Sequence, residues 1–155
     1  MYQAFHEDYV LFLRLHPAIQ TDWKNHYPDF VYDVSHFPDV NHLLMVTDIL
    51  ISDYSSIPFE FSLLQRPMIF FAYDLEEYSR TRGFWENYDD LVPGPIVQTT
   101  DELIECIQKQ TFQLQQIEEF AQEWNEYSQG QSSEQLVHAL FSSSEQVLPQ
   151  RSAEE

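Results

Sequence analysis

Residues 48–61 read DILISDYSSIPFEF, and the succession of residue types in this stretch decides the fold. ILIS, at 49–52, is a continuous apolar run without alternation, the pattern of a strand covered on both faces in a parallel sheet. A short polar turn follows. Ile57, Phe61 and Leu64 then recur at i, i+4 and i+7, which is helical spacing; Pro58 is tolerated in the first turn, and Pro67 stops the helix. Strand, turn and helix in this order form the unit of an α/β layer fold.

The flanking sequence repeats that unit. YVLFLRLHP (9–17) reads as an apolar strand stopped by Pro17, and VYDVS (31–35) as a second, shorter one. DVNHLLMVTD (39–48) puts Val40, Leu43, Leu44 and Thr47 on one face of a short helix. MIFFAYD (68–74) is the next strand, an aromatic loop covers 75–95, and IVQ (96–98) is an edge strand. Thr99 with Glu102 makes a capping box for a helix over DELIECIQKQ (101–110). Helical periodicity continues through FQLQQIEEFAQEWNEY (112–127), and SSEQLVHALFSS (132–143) is a last helix. The expectation is one α/β domain over 1–141, with a parallel sheet and flanking helices, followed by a frayed tail over 142–155. A chain of 155 residues can bury one core but not two large ones.

Charge narrows the partners. With 26 acidic and 7 basic residues the formal net charge is -19, which repels a nucleic-acid backbone and an anionic lipid surface. Nucleic acid is therefore excluded as a partner, whereas a small anion held by a few local donors is not. The single cysteine, Cys106, falls with Leu103 and Ile107 at helical spacing and reads as a packed apolar side chain in a reducing compartment. The opening residues lack a basic region leading into an apolar one, and nowhere do 18 apolar residues run together. A soluble, cytoplasmic segment is expected. His36 and His42, with one cysteine in the chain, do not make a metal site, and no cofactor is called for.

The candidate site lies at strand ends, where open parallel sheets bind ligands. Only Gly83, Gly94 and Gly130 occur, so neither a GxGxxG nor a GxxxxGK[ST] phosphate loop can be written. Any phosphate grip has to use hydroxyls and helix amides. Ser55 and Ser56 supply two hydroxyls at a helix start; a plain N-cap role explains them equally well. Glu60, one turn on, either meets the hydroxyls of a ribose or sits on the wet edge of an amphipathic helix. Arg14 and His16, two apart at the end of the first strand, fall on one face by alternation, and both can donate to phosphate. Asp53 is expected to fix the turn by bonding backbone amides.

TDILISDYSSIPFEFSLLQRPMIFFAYDLEEY (47–78), followed by RGFWENYDDLVPGP (82–95), resembles the carboxyl-terminal segment of the CDP-glycerol glycerophosphotransferases of teichoic acid synthesis. LFLRLHP (11–17) is similar to the strand preceding it in those enzymes. The resemblance implies a Rossmann-like domain, the carboxyl-terminal half of a GT-B transferase, here lacking its opening elements and the acceptor domain. It also implies that Arg14 and His16 contact the phosphates of CDP-glycerol, and that Ser55 and Ser56 bind its pyrophosphate. Glu60, standing where the family usually has Asp, would take the ribose. His16 is also the catalytic candidate within this segment, while the family's base histidine belongs to a part ahead of it. The implied reaction passes glycerol phosphate to a lipid-linked poly(glycerol phosphate) acceptor held by the missing domain, at the inner face of the cell membrane. This chain alone is then expected to be inactive. Two alternatives stay open: a non-catalytic remnant that associates with other chains, including a homo-oligomer covering an open sheet edge, or a GT-B fragment using another nucleotide donor.

Overall fold

Among the described residues, β-branched and aromatic runs form five short strands, all of them parallel to their neighbours. The computed structural model describes residues 1–19, 21–128 and 130–141, so the expected tail over 142–155 lies outside the described residues. In chain order the elements are α1 (Tyr2–Phe5), β1 (Leu11–Leu13), β2 (Val31–Asp33), α2 (Val40–Val46), β3 (Leu50–Ser52) and α3 (Ile57–Phe61). After α3 comes a single 3-10 turn, Ser62–Leu64, and then β4 (Met68–Phe71), α4 (Leu75–Thr81), α5 (Tyr88–Leu91), β5 (Ile96–Val97), α6 (Thr100–Lys109), α7 (Leu114–Trp124) and α8 (Ser132–Phe141).

The strands pair in two groups rather than in the one sheet expected. β1 pairs with β2, placing Leu11 opposite Val31, and β3, β4 and β5 follow in that order, placing Ile51 opposite Ile69 and Phe70 opposite Ile96. The strands of the first group are also shorter than expected. β1 is three residues long and not the nine of YVLFLRLHP: beyond Leu13 the chain stops using ladder bonds, and the Leu15 N–H donates to Ser35 Oγ at 3.0 Å. The second strand likewise ends at Asp33, two residues early.

β4 is buried on both faces, as its unbroken apolar run requires. Met68, Phe70 and Ala72 face one core, with Leu44, Phe61, Tyr88 and Ile117. Ile69 faces the other, which also takes Phe30 and Val31 beside β1, and Leu103, Cys106 and Ile107 from α6. That second core draws both strand groups into one packed layer. Cys106 is an apolar filler, as expected, and its sulfur accepts from Thr111 Oγ1 at 3.3 Å.

Helix boundaries follow local chemistry. Thr99 Oγ1 accepts from the Glu102 N–H while Glu102 Oε2 accepts from the Thr99 and Gln98 N–H groups, the capping box read from sequence. Arg66, of the RP pair, donates from Nη1 to the Met45 and Thr47 carbonyls at 2.8 Å and so finishes α2. The expected single helix over 57–65 tightens after Phe61. Ser62 Oγ donates to the Phe59 carbonyl at 2.7 Å, and Asn125 Nδ2 from the end of α7 donates to the same carbonyl at 3.2 Å; these two donors compete for an acceptor of the helical ladder. The stretch 75–95 is not a plain loop: it contains α4 and α5. No described helix is long and apolar enough to cross a membrane.

Candidate functional site

The turn between β3 and α3 presents the serine pair to solvent. Ser55 Oγ accepts from the Ile57 N–H at 3.2 Å, a bond that caps the first turn and leaves the hydroxyl proton available to a ligand. Ser56 holds the N-cap position itself but makes no side-chain cap bond. The bland role and the functional one are thus divided between neighbours: Ser55 caps, and Ser56 is left uncommitted. Glu60 is exposed in the first turn of α3, at its wet edge.

Arg14 and His16 lie past the end of β1, both exposed. Arg14 Nη1 donates to the Val34 and Phe37 carbonyls at 3.2 and 3.0 Å, tying the chain that leaves β1 to the chain that leaves β2. Its Nε and Nη2 edge remains for a ligand. His16 Nδ1 accepts from the Ala18 N–H at 3.1 Å, so in the neutral ring the proton rests on Nε2, which can donate. His16 lines a hollow of about 250 Å³ together with Thr21, Trp23, Asp33, Ser35 and His36. Arg14, Ser55, Ser56 and Glu60 are not in its walls. Among the described residues no hydrogen bond joins Arg14 or His16 to the serines or to Glu60. The candidates therefore stand as two exposed groups, each following the carboxyl end of a strand.

Asp53 fixes its turn through a different atom from the one expected. Its carbonyl accepts from the Tyr88 hydroxyl at 2.9 Å. Tyr54, the next residue, stacks on Tyr78 with ring centroids 3.8 Å apart and donates its hydroxyl to Asp74 Oδ1 at 2.8 Å. Phe84 and Tyr88 close the ring cluster at 5.8 and 5.5 Å from Tyr54. Burial pushes both phenols, Tyr54 and Tyr88, well above the ordinary tyrosine value, with Asp74 adding to the shift for Tyr54 and Asp53 for Tyr88. They remain protonated donors at any ordinary pH. Sequence reasoning passed over this seat, whose one visible signal was the density of aromatics in 75–95. No group of three or more His, Cys, Asp or Glu suited to a metal ion occurs among the described residues.

Comparison with known proteins assigns the family. Residues 1–142 match the model of CDP-glycerol:poly(glycerophosphate) glycerophosphotransferase. The chain is 45% identical over 135 residues to the teichoic acid glycerol-phosphate primase of Bacillus subtilis, covering 86% of this chain and 35% of the relative. To the teichoic acid poly(ribitol-phosphate) polymerase of Bacillus spizizenii it is 39% identical over 142 residues, 90% of this chain and 23% of the relative. A structure of the wall teichoic acid polymerase TagF, a variant soaked with CDPG, superposes with a TM-score of 0.70 at 32% identity, over 94% of this chain and 38% of that one. The chain thus spans between about a quarter and two fifths of the length of these proteins. With two parallel strand groups flanked by helices and a TagF-like architecture of the GT-B type, the chain belongs to the CDP-glycerol:poly(glycerophosphate) glycerophosphotransferase family of teichoic acid synthesis.

Proposed function

We propose that this chain is the donor-binding part of a glycerophosphotransferase, holding CDP-glycerol while glycerol phosphate passes to a lipid-linked poly(glycerol phosphate) acceptor at the inner face of the cell membrane. In the reaction an acceptor hydroxyl oxygen bonds to the β-phosphorus, the bond from that phosphorus to the bridging oxygen breaks, and CMP leaves with the electron pair. The hydroxyl proton goes to a base outside this segment. The role left to these residues is positioning and charge stabilisation. The Ser56 hydroxyl and the Ser55 proton donate to the pyrophosphate, His16 Nε2 and the open edge of Arg14 donate to phosphate oxygens, and Glu60 accepts from the ribose diol.

The observation that supports this most is the exposed serine pair at the carboxyl end of β3, one hydroxyl uncommitted, in a chain similar to a polymerase studied with CDPG. Thermal unfolding tests it. A ligand at about 100 times its Kd stabilises by about 2.7 kcal/mol, several degrees of Tm for a chain of this size. CDP-glycerol is expected to give that shift and CMP a smaller one, and Ser55→Ala with Ser56→Ala is expected to abolish both. No shift at millimolar nucleotide would remove the proposal. A second donor enters because the poly(ribitol-phosphate) polymerase is 39% identical: CDP-ribitol run beside CDP-glycerol and a UDP-sugar tells which polyol, and which base, is held.

A further inference from the structure

The segment between β4 and β5 clasps the turn that carries the serines, and the clasp has two polar fastenings. Tyr88, in α5, is 6% exposed and packs in the core with Phe61, Met68 and Phe70. Its hydroxyl emerges from that core at the Asp53 carbonyl, 2.9 Å away. Asp53 is the first residue after β3 and lies two before Ser55. The second fastening is Tyr54, whose hydroxyl reaches Asp74 at the head of α4. The ladder hydrogen bonds of β3 end at Ser52, and the helical ones begin with the Phe59 N–H to the Ser56 carbonyl. Between them the backbone has no regular element to hold it. A buried donor on its carbonyl is what converts such a turn from a mobile link into a rigid platform.

We propose that Tyr88 is a positioning residue for donor binding: by holding the Asp53 carbonyl, its hydroxyl fixes the backbone from which Ser55 and Ser56 present their own hydroxyls. This rests on the donor reading above for its consequence, but not for its structural half. Removing the hydroxyl while keeping the ring leaves the apolar packing in place and frees only the turn. The Asp53 carbonyl, being on an exposed residue, regains water, so the global cost is small while the turn gains freedom.

The test compares the full 155-residue chain with Tyr88→Phe and Tyr88→Leu by amide hydrogen exchange and by titration with CDP-glycerol. In Tyr88→Phe the hydrogen-bonded amide of 53–57, that of Ile57 on Ser55 Oγ, is expected to exchange about five- to ten-fold faster, the worth of one hydrogen bond, with β4 and α6 unchanged. CDP-glycerol affinity is expected to fall by a similar factor. Tyr88→Leu, which also removes the ring from the core, is expected to speed exchange in β4 as well and to lower Tm. Exchange in Tyr88→Phe that is unchanged, or faster everywhere alike, overturns the proposal. So does faster exchange at 53–57 with undiminished affinity. If the parent chain binds no CDP-glycerol, the donor reading fails by itself, and exchange at 53–57 alone decides whether Tyr88 holds the turn.

Discussion

At the scale of single residues, Gly94 shows why PGP stands where it does. A Cβ built there would lie 2.6 Å from the Met68 carbonyl oxygen, inside the closest approach of real side chains, and a tight 3.3 Å from its carbon. The obstacle is backbone of β4, which also receives the Pro95 carbonyl on the Phe70 N–H at 2.9 Å, so it cannot swing aside as a side-chain tip would. Gly94→Ala is therefore expected to cost about 1–3 kcal/mol, the penalty of forcing an extra carbon into a packed site, read as a lower urea midpoint. An unchanged midpoint would mean that the 93–95 strap lifts freely from the sheet. This contact was beyond the sequence, which gave two prolines and a glycine but not the strand they cross. Cys106 was legible because helical spacing alone put it among apolar neighbours. Arg14 was only half legible: alternation assumes a strand, and the strand ends one residue earlier, at Leu13, leaving the side chain to turn back on the Val34 and Phe37 carbonyls.

Among the elements, the best-read is α6, and its start can be tested by acid. The Glu102 carboxylate, held by the Gln98 and Thr99 N–H groups, has its pKa lowered from the ordinary 4.5. A group depressed in the folded state stabilises above its unfolded pKa, and that contribution is lost as pH falls through the folded one. Glu102→Gln is thus expected to be less stable than the parent chain at pH 7, with the gap closing as the pH is taken down below the usual carboxylate range, followed by urea unfolding at each pH. Thr99→Ala, removing the other half of the box, is expected to cost about 1 kcal/mol at neutral pH. Caps of this kind act within four residues, which is why sequence reveals them. The helices that were missed also had signals: Glu76 and Glu77 in the first turn of α4 and Arg80 in its last suit the helix dipole. The seven residues of α4 and the four of α5 were hidden by an aromatic run that reads equally well as loop. The aromatics make sense only in three dimensions, where Tyr78, Phe84 and Tyr88 surround Tyr54. The strand ends that bear the candidate site were legible as strand ends; the two-group pairing was not, because it depends on which carbonyls find partners across the chain.

For the whole molecule, the governing quantity is a net charge of -19 spread over 155 residues. Ion pairs do little against it: among the described residues Lys109 pairs with Glu105, and His42 stands 3.9 Å from Asp39, where it adds a pair only in its protonated form, all on the surface. Acids repelling one another raise the free energy of the compact state more than that of the expanded chain, whose charges stand farther apart. Added salt shortens the reach of that repulsion to about 10 Å at ~0.1 M and ~3 Å at ~1 M. Sodium chloride, which is not strongly excluded from protein surfaces as sulfate is, is therefore expected to raise the urea midpoint steeply up to ~0.1 M and to level off beyond it. A protein held by surface ion pairs would respond in the opposite direction, so a midpoint that falls with salt would show that local pairing outweighs the global field. The same field would act on the proposed anionic donor as it nears the serine turn: with no long-range attraction from a net charge of -19, the proposed capture rests on short hydrogen bonds from Ser56, His16 and Arg14 at contact.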